Sequence, residues 1–242
     1  GAVKLARAFT GRDVVAICAD HPFFSYDDWA MVVTPLRAGI PAGVEPLTVT
    51  FGYNDVGSVE RLLERYPGEI ACFVLEPERS DPPRDRFLHR LQELAADDGA
   101  LLVFDENVTG FRWDNGGAQA VHGIAPDLST WGKGIANGFA LSALAGRRDV
   151  MELGGLRHDG DYLFLLSTTH GAEHTGLAAG IATMEVYREE PVIATMFARG
   201  ERLRAGIESV AAAHGVGDAF SVFGTASCLL YSTRNPGGEP SQ

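Results

Sequence analysis

The sequence is short of lysine. Of its 20 basic residues only Lys4 and Lys133 are lysines, and the others are arginines. It is also short of cysteine. Cys18, Cys72 and Cys228 form no CxxC pair and give no disulfide framework. Positive charge is outweighed, with a net charge of -12 at pH 7. That excludes a nucleic-acid backbone as the main partner, because phosphate tracks need a basic stripe; a single phosphate held by backbone N–H groups stays compatible. No apolar run is long enough to cross a bilayer, and no signal peptide is visible. The expectation is a soluble cytoplasmic protein with no membrane partner.

What is present is a folding composition, 45% hydrophobic and 21% charged, without internal repeats. "GAVKLARAFTGR" starts inside a helical pattern with no cap before it, and "TRNPGGEPSQ" is a polar loop. Both ends are therefore expected to belong to a longer protein. Between them, strand-length apolar runs alternate with helical patterns. "VVAIC", "LTVTF", "IACFVLE", "ALLVFDE" and "LSALAGR" read as strands. "NDVGSVERLLERYPG" and "PPRDRFLHRLQELAADDG" read as helices, the second turning Phe87, Leu88, Leu91 and Leu94 inward. Such alternation predicts an α/β fold, a three-layer domain with a mainly parallel sheet. Beyond Gly160 two helical patterns follow in succession, and "TASCLLYST" looks like a strand. The expected division is a large domain over 1–165, a connecting helix over 166–190 and the start of a small domain over 191–242.

In an open parallel sheet, ligands bind outside the carboxyl ends of the strands. Asp105 follows "LLVF" and Glu76 follows "CFVL", each at such an end. Either carboxylate is an N-cap or a site residue. Lys133 stands in "STWGKGIANG", between glycines and beside a tryptophan. A lysine in a tight, partly apolar loop loses solvation, which favours the neutral amine that attacks carbonyls; the alternative is an exposed loop lysine. A lysine for an aldehyde and a carboxylate for a ring nitrogen are the two groups that a pyridoxal phosphate site requires.

The stretches "LLVFDENVTGFR", "APDLSTWGKGIANGFALSALAGRRDVME" and "GLAAGIATMEVYREE" together resemble the class III aminotransferases. These are fold type I pyridoxal phosphate enzymes, and the resemblance is nearest to the glutamate-1-semialdehyde aminomutase-like group. It covers most of the chain, and "FLLSTTHGAE" is similar to members used in sugar and polysaccharide biosynthesis. The resemblance implies pyridoxal 5'-phosphate as cofactor, a small-molecule amino donor and carbonyl acceptor, and a homodimer with shared active sites. It makes Lys133 the Schiff-base lysine and proton shuttle, and Asp105 the partner of the pyridinium nitrogen. It makes Thr169 the threonine that reaches the cofactor phosphate of the neighbouring subunit, and Glu76 a site-proximal glutamate of an "EP" turn.

The sequence departs from the family pattern in two places. Where an aromatic residue followed by His-Gly usually stacks on the ring, this chain has "ADHPFFSYDDW". Asp20 takes the aromatic position, His21 is kept, and Phe23 or Phe24 is the substitute ring if the loop shifts. Two positions after the aspartate, where an apolar residue is usual, stands Asn107, followed by Val108. These changes put substrate and reaction type in doubt, so an aminomutase and an inactive aminotransferase-like chain stand beside the aminotransferase. Other readings are weaker. "HGAEH" matches an inverted zinc-peptidase signature, but Gly171 and the turn-like approach argue for a loop and against a metal. "GKGIANG" lacks the third glycine of a dinucleotide loop. "NVT" matches a glycosylation sequon by chance. Arg112 reads as structural, and His122 and His158 carry no signal.

Overall fold

The computed structural model describes residues 1–21, 27–155, 157–163, 171 and 173–234. In chain order the elements are α1 (Ala2–Thr10), β1 (Val14–Cys18), α2 (Asp28–Met31), β2 (Thr48–Phe51), α3 (Val56–Arg65), β3 (Ile70–Leu75), α4 (Phe87–Asp98) and β4 (Leu101–Asp105). They continue with α5 (Gly117–His122), β5 (Leu128–Trp131), β6 (Ala143–Gly146), α6 (Arg148–Glu152), α7 (His174–Glu189), α8 (Val192–Ala213), β7 (Phe220–Phe223) and β8 (Leu230–Thr233).

The first six strands form one sheet in the order β2-β1-β3-β4-β5-β6. The pairings from β2 to β5 are parallel, and β6 joins the edge antiparallel. The period of two along each strand sorts side chains into two layers. Ala16, Phe73, Leu75, Leu102 and Phe104 pack with α3 and α4 on one face. Val15, Ile17, Cys72, Val74, Leu101 and Val103 pack with Leu5 of α1 and Val150 of α6 on the other. Every residue of β1 and β3 is buried, which is why these strands read as unbroken apolar runs. Burying each large side chain contributes about 1.5–3 kcal/mol.

Two helices show their sequence signals directly. Asp55 caps α3 by accepting from the Ser58 N–H at 3.0 Å. Gly99 ends α4 in the left-handed region at φ 77°. The "LSALAGR" run becomes β6, an edge strand whose residues are mostly exposed. β5 ends just before Lys133 although "LSTW" is half polar; β7 was not expected, since "FSVF" follows a glycine-rich turn. Only the end of "TASCLLYST" is a strand, because Ala226–Cys228 forms a 3-10 turn. β7 and β8 pair antiparallel as a separate two-stranded sheet.

Candidate active site

β3, β4 and β5 lie side by side, and their carboxyl ends open into a cavity of about 880 Å³. Glu76 enters it just beyond β3, Asp105 ends β4, and Thr130 of β5 pairs with Asp105 across the sheet. Lys133 enters two residues past β5. Asn107 and Val108 line the same space, as do the first residues of α1. A helix N-terminus carries unpaired N–H groups and a positive dipole end, a setting suited to an anion. The volume falls within the roughly 300–1,000 Å³ of small-molecule sites.

Asp105 is anchored on one oxygen. Its Oδ1 accepts from the Asn107 N–H at 2.9 Å, from Asn107 Nδ2 at 2.7 Å and from Thr130 Oγ1 at 3.3 Å. Its Oδ2 makes no such bond among the described residues, so it is available to a ligand. Asn107, unexpected at its position, thus finds a partner in Asp105 itself. Gly132 permits this, since a Cβ there would meet Asn107 Oδ1 at 2.3 Å.

Lys133 opens a 3-10 turn, Lys133–Ala136, with φ 47°. A non-glycine residue in the left-handed region costs roughly 1–2 kcal/mol. The surroundings hold it there. Ile135 and Ala136 are buried against Phe111, and α7 packs on the following loop. Gly176 of α7 allows that approach, because a Cβ there would meet the Ala140 carbonyl at 2.4 Å. The lysine is exposed rather than withdrawn from water as its glycine-lined context suggested; the loop opens toward the cavity instead of folding over it.

Glu76 is 8% exposed, and its Oε2 has no hydrogen-bond partner. Burial raises its carboxyl above the usual range; Arg79 opposes this, Asp105 adds to it, and Lys133 opposes it. An orphaned buried carboxyl oxygen in a cavity points to a ligand. His21 does not line the cavity. It is 4% exposed, donates from Nδ1 to the Glu76 carbonyl at 3.0 Å and packs on Tyr53 with ring centroids 4.4 Å apart. Burial lowers its pKa. Asp20 turns outward and accepts from the Tyr53 N–H at 2.7 Å. Phe23, Phe24 and Thr169 lie outside the described residues.

Sequence reasoning missed several lining residues: Trp29, Arg79, Trp113, Ser142, Cys228 and Leu230. Among the described residues Arg79 forms no ion pair. Arg112 donates to the Val108 carbonyl at 2.7 Å. Glu106, not singled out either, is fully buried and braces the same loop by accepting from the Ala118 and Gln119 N–H groups at 2.9 and 2.7 Å. Of "HGAEH", His174 opens α7 and His170 lies outside the described residues. Among the described residues no three His, Cys, Asp or Glu side chains gather as a metal site, and no described helix is long and apolar enough to cross a membrane.

The largely parallel sheet with helices on both faces is the fold of the type I pyridoxal phosphate enzymes. The chain belongs to the class-III aminotransferases: the family model "Aminotransferase class-III" matches residues 2–224. It is 36% identical over 232 residues to a glutamate-1-semialdehyde 2,1-aminomutase of Neisseria meningitidis, covering 89% of this chain and 52% of that protein. A glutamate-1-semialdehyde 2,1-aminomutase of Neisseria gonorrhoeae is 34% identical over 252 residues, covering 97% of this chain and 57% of that one. Among solved structures, the FumI protein of Sphingopyxis sp. MTA144, determined in a PLP form, superposes with a TM-score of 0.84 at 30% identity, covering 97% of this chain and 55% of that one. An omega-transaminase of Sphaerobacter thermophilus superposes with a TM-score of 0.80 at 30% identity, covering 98% and 57%. The chain spans about half the length of the curated relatives it matches.

Proposed function

We propose that this chain forms the cofactor-holding part of a pyridoxal phosphate-dependent enzyme that moves an amino group between a small-molecule donor and a carbonyl acceptor. The observation that carries this is the shared cavity of Lys133, Asp105 and the unpartnered Glu76 Oε2. The residues present fit the cofactor. Lys133 supplies an amine, Asp105 keeps Oδ2 for a ring N–H, and the N-terminus of α1 suits a phosphate. When bound, pyridoxal phosphate supplies a carbonyl to join amines and a ring that accepts electrons from carbon.

The chain's own groups do the rest. Asp105, held in place by Asn107 and Thr130, keeps a proton on the ring nitrogen. Lys133 would hold the cofactor's carbonyl through its amine and, when free, would move a proton at the substrate carbon. Val108 and Asn107, which line the cavity, would hold the ring from the side. His21 acts through Glu76, fixing its carbonyl so that its carboxyl stays in the cavity. We further propose the division into a large domain over 1–165, a connector over 166–190 and the beginning of a small domain over 191–242. Thr169 as a contact to a second subunit, a homodimer and a cytoplasmic location belong to the same reading.

The intramolecular amino shift of a 2,1-aminomutase is a second reading, favoured by the curated relatives named above. One experiment addresses both. The protein loaded with pyridoxal phosphate is mixed with L-glutamate or L-alanine, and the 2-oxo acid released is measured. Stoichiometric release that Lys133→Ala abolishes supports transfer. Conversion of glutamate-1-semialdehyde with no 2-oxo acid supports the shift. Neither product, from a protein that binds the cofactor, refutes amine chemistry.

A further inference from the structure

The turn after β3 carries a second glutamate that family resemblance does not use. Glu76 faces the cavity, and Glu78 turns away from it into a set of donors. Trp113 Nε1 donates to Glu78 Oε1 at 2.9 Å. His122 Nε2, at the end of α5, donates to Oε2 at 2.7 Å. Thr225 Oγ1, just before the 3-10 turn Ala226–Cys228, donates to Oε1 at 3.3 Å. The Glu78 side chain is 12% exposed and that of His122 20%. Burial alone would raise the Glu78 carboxyl, but the bonds from His122, Trp113 and Thr225 outweigh it and hold the group below the usual carboxylate range. Below the turn, His21 binds the Glu76 carbonyl, and Tyr53 Oη donates to the Pro77 carbonyl at 2.7 Å. The turn is therefore fixed on its backbone, and Glu78 is a rigid anchor rather than a swinging side chain.

Two of the three donors lead to the cavity wall. Trp113 lines it directly. Thr225 leads into the segment that places Cys228 and Leu230 there, and its carbonyl accepts the Cys228 N–H at 2.8 Å. We propose that Glu78 is a positioning residue that sets the apolar wall of the Lys133 cavity, tying Trp113 and the 225–230 segment to one carboxylate. The wall, an indole with a leucine and a thiol, suits the carbon skeleton of a substrate rather than its charged end. Removing the carboxylate leaves an indole N–H, an imidazole N–H and a hydroxyl without their acceptor. The segment that then loosens is the one bordering the cavity. As a wall of the amine-transfer site this rests on the reading above; as a clamp it stands on the hydrogen bonds alone.

The chain holds its own reporter. Cys18 and Cys72 are buried and Cys228 is not. The protein with pyridoxal phosphate is treated with N-ethylmaleimide, and the alkylation of each cysteine is followed by peptide mass. Glu78→Ala should speed modification of Cys228 by about tenfold or more, the shift expected in a local opening equilibrium on losing a charge-assisted bond, while Cys18 and Cys72 stay unreactive. Glu78→Gln, which keeps an acceptor oxygen, should restore a rate near that of the unaltered protein. Cys228 reacting at the unaltered rate in Glu78→Ala, or Gln behaving as Ala does, overturns the proposal. If Glu78→Ala unfolds and all three cysteines react, Thr225→Val decides: selective acceleration at Cys228 supports the clamp, and no change overturns it. Visible absorbance from bound pyridoxal phosphate should persist in these variants. Its absence from the unaltered protein would sink the amine-transfer reading, and the alkylation rates would still judge the clamp.

Discussion

Helix α4 buries Phe87, Leu88, Leu91 and Ala95 within 12 residues, whereas α8, with 22 residues, buries Ala211 alone. Leu203 and Val210 of α8 are 56% and 60% exposed. α4 lies on the six-stranded sheet, whereas α8 packs against the 3-10 turn Ala226–Cys228 and β7. The difference shows where this chain keeps its rigidity. Glu76 and Asp105 stand at the ends of the buried strands β3 and β4, and Asn107 and Lys133 two residues past the ends of β4 and β5. The elements around α8, β7 and β8 contribute the cavity wall at Cys228 and Leu230, joined to the sheet through Thr225 and Glu78. On the proposed reading, the core places the chemistry and the less buried part the fit of the substrate.

The largest contrast should appear in stability. Phe73→Ala, in the middle of β3, is expected to cost about 3–5 kcal/mol, and Leu203→Ala on α8 no more than about 0.5 kcal/mol. Denaturant unfolding monitored by circular dichroism measures both, and equal costs would remove the distinction between the two regions. Next in size is the effect on activity at the strand ends. Asp105→Ala should lower amine transfer by about 10²-fold or more with little change in unfolding midpoint, because the bonds it loses are only part-buried.

Lys133→Gly sharpens the comparison further. It removes a side chain from the left-handed region and should stabilise the fold by about 1 kcal/mol while abolishing transfer. A loss of stability would mean that the φ of 47° carries no strain. The smallest effect is pH-dependent. The folded-state pKa of Glu76 lies above its ordinary 4.5 because of burial. The native state is therefore penalised when this carboxyl ionises, and the penalty fades as pH falls through the folded value toward 4.5. Glu76→Gln should raise the melting temperature at neutral pH, with the gain shrinking toward that lower limit. A lower melting temperature at neutral pH would contradict the assignment of Oε2 as unpartnered.

The central sheet was legible because strands covered on both faces must be apolar throughout, and β1, β3 and β4 read so. Asp105 stood out because it ends such a run, and Lys133 because it is one of two lysines and stands between glycines. β5 gives a weaker signal, since Ser129 and Thr130 make it half polar, and nothing in "LSALAGR" signals that β6 runs antiparallel. The Glu78 cluster was invisible for another reason. Its partners lie 35, 44 and 147 residues away, and only the folded chain brings them together. His122, which carried no signal in sequence, ends α5 and becomes one of them. The outward turn of Asp20 onto the Tyr53 N–H likewise has no counterpart in local pattern.

The scarcity of lysine makes the central claim directly testable. The protein is incubated with pyridoxal phosphate, reduced with borohydride to fix the cofactor on whatever amine it has joined, and mapped by peptide mass spectrometry. The account predicts one pyridoxyl group on the peptide holding Lys133 and none on Lys4. Label on Lys4, equal label on both, or none on Lys133 would contradict it.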